Sequence, residues 1–257
     1  MTSPDPPLPS ASFQRRRAPP WKVVGIAGVS GGGKTTLARR LLSALPTTTA
    51  YLSQDQYILP SEHPGHPPAP HPLQGLNKDT IRSVDVAKME ADVRRFLSAE
   101  EEPALEPADA PFLADRGSFV GSALRAHNPF CGRRQEASVL PPVLILEGFL
   151  LFSHGFFAPA CDLRFFLTLT KERCRQRRSR RTFTASAMSG GEYFEACVWP
   201  AYESALAEVV AGVDDVHFLD GATPADDLFR EVSEKVVEIL QLPKEAKEGF
   251  PHGHMAV

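Results

Sequence analysis

GVSGGGKTT, running from Gly28 to Thr36, sets three consecutive glycines, a lysine and two threonines between an apolar run and a segment of helical spacing. Glycines let a backbone curl until successive N–H groups point inward at one anion. A helix starting there adds its dipole to the same target. The lysine then reaches the outer phosphates of a nucleoside triphosphate, and the first threonine offers a hydroxyl to Mg²⁺. The spacing is G-x-x-x-x-G-K-[ST], with a strand-like run before it and a helix-like run after it. Gly28, Ser30, Gly31, Gly32, Gly33, Lys34, Thr35 and Thr36 are the candidate nucleotide-binding residues.

Three further features decide what becomes of the bound phosphate. Asp55 ends the run TAYLSQDQY beside a long loop. A carboxylate there takes a proton from an acceptor hydroxyl, or else simply forms a turn. Glu147 lies inside the apolar run VLILEGFLLF. A charge in such a strand is costly unless it meets a partner or a metal, so Glu147 reads as a companion of Thr35 at Mg²⁺, or as a strand-end salt bridge. The segment KERCRQRRSRRTF is a basic helix in which Arg177 and Arg181, four apart, share a face. Such a pair suits a lid over a transferring phosphoryl group; the plainer alternative is a solvated basic surface. A switch GTPase would carry an NKxD base reader, and none is present.

The elements that must position these residues follow from periodicity. Strands are predicted over Trp21–Gly28, Thr49–Tyr57, Val143–Phe152, Leu163–Thr170 and in DVHFLDG. Helices are predicted over Lys34–Leu45, Val84–Glu100, Lys171–Phe183, Glu192–Val210 with Pro200 as a kink or break, and Pro224–Leu242. Alternating strands and helices predict a parallel sheet with helices on both faces, whose ligands bind beyond the C-terminal strand ends. Residues 1–20 read as a disordered Pro-rich tail, 58–77 as a Pro-rich loop, 101–141 as a low-complexity insertion and 243–257 as a second tail, leaving one domain over 21–242.

Composition bounds the class. The chain has 257 residues, 42% hydrophobic and 23% charged, with a net charge of −3. That is ordinary for a soluble globular protein and lacks the broad basic balance of a nucleic-acid binder. Cys131, Cys161, Cys174 and Cys197 have no CxxC spacing, which argues against a zinc site or disulfide framework and for a reducing compartment. No run is long and apolar enough to span a bilayer, and the first twenty residues lack the apolar core of a secretory signal. A cytoplasmic protein is expected, with mitochondrial import disfavoured by the prolines and Asp5 of that segment.

The blocks GVSGGGKTTLARRL, YLSQDQY, VLILEGFLLF, RCRQRRSRRTF, EYFEACVWPAY and FLDG, in this order, resemble the nicotinamide riboside kinases, within a larger group that includes uridine kinase. The resemblance covers most of 22–240 and is most specific in EGFLLF and VWPAY. It implies a P-loop kinase-type three-layer α/β fold: a central parallel sheet, helices on both faces and a helical lid. It implies ATP as donor, Mg²⁺ as cofactor, and phosphorylation of the 5′-hydroxyl of nicotinamide riboside to nicotinamide mononucleotide, in NAD biosynthesis. The alternatives are a kinase of uridine or another ribonucleoside, and a nucleotide-binding regulatory module without catalysis. The partners implied are ATP and a small nucleoside, with no nucleic acid or membrane, for a monomer or weak homodimer. Carried over residue by residue, the base falls on Asp55, the acid gripping the ribose hydroxyls on Asp79, and the metal-side glutamate on Glu147. The lid arginines fall on Arg177 and Arg181, and the ring packing on the nicotinamide on Phe183. The sequence departs from the family pattern at Lys78, where an aromatic residue is expected, and at Gln56, where an acid is expected. Its lid loop TASAMSGGEY is longer and lacks a matching Asp.

Overall fold

The structure, a computed structural model, describes residues 21–45, 47–98, 140–180 and 190–240. The tails, residues 101–139 of the expected insertion, Arg181 and Phe183 lie outside the described residues.

Strand β1 (Lys22–Gly28) is apolar and rich in β-branched residues, and it takes the centre of a five-stranded parallel sheet. The other strands are β2 (Thr49–Ser53), β3 (Val143–Gly148), β4 (Leu163–Thr168) and β5 (Val216–Asp220), in the order β2-β3-β1-β4-β5. Side chains of β1 alternate between two cores. Val24 and Ile26 pack with Leu37 and Leu41 of α1 (Lys34–Ala44) and with Leu228, Phe229 and Val232 of α5 (Ala225–Ile239). Val23 and Ala27 belong to the opposite core, with Met89, Val93 and Phe96 of α2 (Val86–Ser98) and Tyr202 and Val209 of α4 (Trp199–Gly212). The expected three-layer α/β architecture is therefore present. Helix α3 (Lys171–Ser179) leaves the C-terminal end of β4 and buries only Cys174.

Local chemistry sets the boundaries. Helix α1 buries a stripe at Leu37, Ala38, Leu41 and Ala44, and Leu45 turns extended ahead of a proline. Each fully buried leucine of that stripe contributes about 1.5–3 kcal/mol. The expectation of strand through Tyr57 is corrected: Gln54–Tyr57 is a 3₁₀ turn. Ser53 and Gln56 form a capping box in which Ser53 Oγ accepts from the Asp55 amide and Gln56 Oε1 from the Ser53 amide. Likewise β3 stops at Gly148, and Leu151–Ser153 is a 3₁₀ turn. Pro200 does not break the helical run, which continues from Gly191 to Gly212. It sits in the first turn of α4, behind a π-helical stretch, Phe194–Val198, where the wider turn accommodates a residue with no N–H to give. The loop 58–77 has no helix or strand. It is tied by bridges Ile58–Val84 and Pro68–Leu76 and by the buried His66, whose Nε2 lies 3.1 and 2.9 Å from the Leu59 and Pro60 carbonyls. No helix among the described residues is long and apolar enough to cross a membrane.

Candidate active site

The C-terminal ends of β1, β2, β3 and β4 meet at one edge of the sheet, and the sequence-predicted residues gather there. Between β1 and α1 the chain forms the glycine-rich loop. Gly33 caps α1 with φ 101°, a left-handed conformation that a side chain disfavours. The first-turn amides of α1 have no carbonyl four residues earlier within the helix, so they are available to an anion. A second close approach seals the loop from outside: a Cβ on Gly221 would lie 2.7 Å from the Gly32 carbonyl oxygen. Lys34 Nζ donates to the Val29 carbonyl at 3.1 Å, folded back over the loop.

Glu147 is 2% exposed and is the convergence point of the site. Its Oε1 accepts from Ser53 Oγ at 2.8 Å, Tyr51 Oη at 2.9 Å and Thr35 Oγ1 at 3.2 Å. The strand register explains the first of these, since Ser53 pairs directly with Glu147 across β2 and β3. Tyr51 is two residues earlier on the same face. Burial, together with the Glu147 carboxylate, pushes the Tyr51 phenol far above its ordinary range, so it stays a donor. Thr35 and Glu147 present hard oxygens side by side. That donor set fits Mg²⁺, which keeps waters and binds through one or two protein oxygens plus substrate phosphates. Ser53 also links this centre to Asp55: the same hydroxyl that donates to Glu147 accepts from the Asp55 amide at 3.4 Å. Asp55 itself is exposed on the turn.

Asp79 is held differently. Its carboxylate lies 3.8 Å from Arg178 Nη2, and the Tyr193 hydroxyl hydrogen-bonds to it. Tyr193 Oη also accepts from the Lys78 amide at 3.0 Å, so one buried ring fixes both residues. Burial raises the Asp79 pKa above the usual carboxylate range, opposed by the charges of Arg178 and Lys34 and by the Tyr193 hydrogen bond. Arg178 Nη1 in turn donates to Ser30 Oγ at 3.2 Å. One guanidinium thus touches both the phosphate loop and the acid expected to grip a ribose.

Arg177, the preceding residue of α3, points to the other side. Its Nη1 donates to the Gly31 and Gly221 carbonyls at 3.0 and 2.8 Å. It lines a cavity of about 420 Å³ beside the glycine-rich loop, with Gly31–Gly33, Thr36, Arg40 and the turn Gly221–Ala225. The structure therefore brings together the loop, Thr35, Glu147, Asp55, Asp79 and Arg177. The expected pairing of Arg177 with Arg181, and the ring of Phe183, fall outside the described residues. Sequence reasoning missed Tyr51, Ser53, Arg178 and Tyr193. The alternation Tyr51–Ser53 at the end of a strand was a usable signal for the first two; the other two needed the fold.

No family model matches the chain. Nicotinamide riboside kinase 2 of Homo sapiens is 33% identical over 219 residues, covering 85% of this chain and 82% of that protein. Nicotinamide riboside kinase 1 of Rattus norvegicus is 30% identical over 222 residues, covering 85% and 95%. A solved structure of a possible uridine kinase from Bacillus stearothermophilus superimposes with a TM-score of 0.44 at 16% identity, covering 79% of this chain and 91% of that one.

Proposed function

The chain belongs to the nicotinamide riboside kinase family, and from that premise we infer that it transfers the γ-phosphate of ATP to the 5′-hydroxyl of nicotinamide riboside. The observation that carries the reading is the three-way arrangement at the strand ends: a phosphate loop, a Thr35–Glu147 oxygen pair and an Asp79–Arg178 pair, linked through Ser30. In this reading the loop amides and Lys34 hold the triphosphate. Thr35 and Glu147 hold Mg²⁺, which neutralises charge on the phosphates when bound. The Asp79 carboxylate accepts hydrogen bonds from the vicinal 2′- and 3′-hydroxyls, fixing the ribose in one orientation. Asp55 accepts the proton of the remaining hydroxyl as it attacks. Arg177 and Arg181 of the lid stabilise charge that develops on the transferring group, and Phe183 supplies an aromatic face for the pyridine ring. The 420 Å³ cavity, continuous with the loop and walled by the Gly221–Ala225 turn, takes the donor's base.

One observation favours a second acceptor. Lys78 precedes Asp79 in the chain and brings a cation to this segment where the family pattern has an aromatic ring; its exposed Nζ donates to Ser61 Oγ at 2.7 Å. Nicotinamide riboside carries a fixed positive charge on its ring, whereas uridine is neutral. The test is purified protein with ATP and Mg²⁺ against both nucleosides, with products separated by chromatography. Nicotinamide mononucleotide formed with the higher kcat/KM supports the reading. A uridine preference of tenfold or more establishes the second acceptor, and no transfer to either nucleoside leaves a nucleotide-binding module.

A further inference from the structure

The wall of the donor cavity opposite the glycine-rich loop is the turn Gly221–Ala225 and the first turn of α5. Its first part is tied locally: the Gly221 amide donates to the Thr168 carbonyl, Asp220 accepts from the Ala222 and Thr223 amides, and Arg177 donates to the Gly221 carbonyl. Helix α5 begins after Pro224 with no side-chain cap, so its N-terminal turn lacks the usual local anchor. For the part beyond Pro224 an anchor comes from α1. Arg40 Nη1 donates to the Ala225 carbonyl at 2.7 Å, and Nη2 to Asp226 Oδ1 at 2.6 Å. The guanidinium carbon lies 4.6 Å from the centre of the Phe229 ring, one turn further along α5. The arginine side chain is 12% exposed, and its Nε is buried with no hydrogen-bond partner.

Arg40 also lines the cavity itself, together with Thr36, Leu37 and Thr223. It stands between the helix that begins at the phosphate site and the helix whose start forms the far wall. We propose that Arg40 is a positioning residue for the base of the phosphate donor. By clamping the uncapped start of α5 to α1, it fixes the width of the cavity into which that base inserts. This rests on the reading that the donor's base occupies the cavity. The triphosphate is held by the loop amides and Lys34, which Arg40 does not touch, so base and phosphate binding separate cleanly.

The experiment compares ATP with inorganic tripolyphosphate, which offers the phosphates without a base. Dissociation constants for both are measured by calorimetry on the full chain, alongside the KM for ATP. Arg40→Ala is expected to weaken ATP about tenfold, the scale of one well-placed interaction, to raise the KM for ATP to match, and to leave the affinity for tripolyphosphate unchanged. Arg40→Lys keeps the charge and the stem but loses the fork to Ala225 and Asp226, and gives an intermediate ATP affinity; it also serves if the alanine variant does not fold. Asp226→Ala is close to wild type, because that carboxylate is 77% exposed. Equal weakening of ATP and tripolyphosphate by Arg40→Ala or Arg40→Lys overturns the proposal, since the loop and not the base site has then moved. So does unchanged ATP affinity in both variants. Thr223→Trp, which fills the cavity, separates the two readings. If it weakens ATP while the Arg40 variants do not, Arg40 has no positioning role. If it leaves ATP affinity intact, the base lies elsewhere and the cavity reading falls, taking the proposal with it.

Discussion

Replacing Glu147 by glutamine should leave the protein as stable as before, or more so, while removing most of its turnover. Three hydroxyls donate to one carboxylate oxygen at 2.8–3.2 Å. Hydrogen bonds to a charged acceptor are worth about 1.5–3 kcal/mol and neutral ones about 0.5–1.5, so neutralising the acceptor forfeits about 1 kcal/mol per bond, or about 3 in all. Against this stands the desolvation of an ion that is 2% exposed, several kcal/mol even after relaxation. The two nearly cancel. At about 2–4 °C per kcal/mol for a chain of this size, Glu147→Gln should melt within a few degrees of wild type or above it. Glu147→Leu removes the acceptor and strands three hydroxyls at about 1–3 kcal/mol each, so it should lose about 10 °C or more. Both variants lose the anionic oxygen beside Thr35, and kcat should fall at least a hundredfold, the scale of one missing electrostatic interaction in a transition state. Thermal melts with single-turnover assays read both quantities. A glutamine variant that melts 10 °C below wild type would show that the charge is structural. One that turns over normally would remove Glu147 from the metal side of the site.

Two other outcomes follow from the charges at the acceptor end. Burial lifts the Asp79 carboxyl and Arg178 opposes the lift, while ribose hydroxyls require the ionised form, so kcat/KM is lost as pH falls through that raised pKa. Arg178→Gln removes the largest opposing charge and should move the acid limb of the pH profile to higher pH; an unmoved limb would mean that Asp79 does not govern it. The stability contribution has the opposite sign, present at low pH and lost as pH rises through the folded pKa, because the folded chain binds that proton more tightly than the unfolded one. Lys78→Met removes the cation carried by the residue before Asp79 and should raise the ratio of kcat/KM for nicotinamide riboside over uridine several-fold; an unchanged ratio would place Lys78 outside the range of the base.

What could be read in the sequence was the chemistry that is local in the chain. The glycine-rich loop and its helix occupy neighbouring positions and are dictated by φ and by amide direction, so Gly28–Thr36 was legible without a fold. The capping box at Ser53 and Gln56 is also written locally, yet the apolar alternation of TAYLS masks it and extends the strand pattern to Tyr57. Gln56, which departs from the family's acid, turns out to have this structural duty. What could not be read depends on register between distant segments. Ser53 meets Glu147 across 94 residues, and Arg178 meets Ser30 across 148. The basic helix illustrates the limit: six arginines within nine residues are equivalent as a charge pattern, and only the placement of α3 over the loop separates Arg177, turned toward the cavity beside the loop, from Arg178, turned toward Asp79. Adjacent residues on a helix differ by about 100° in direction. That angle sends Arg177 to the cavity beside the loop and Arg178 to Asp79, so a one-residue shift of α3 would leave Gln176 or Ser179 at one of the two positions, and the register of α3 against the sheet is itself a determinant of the arrangement.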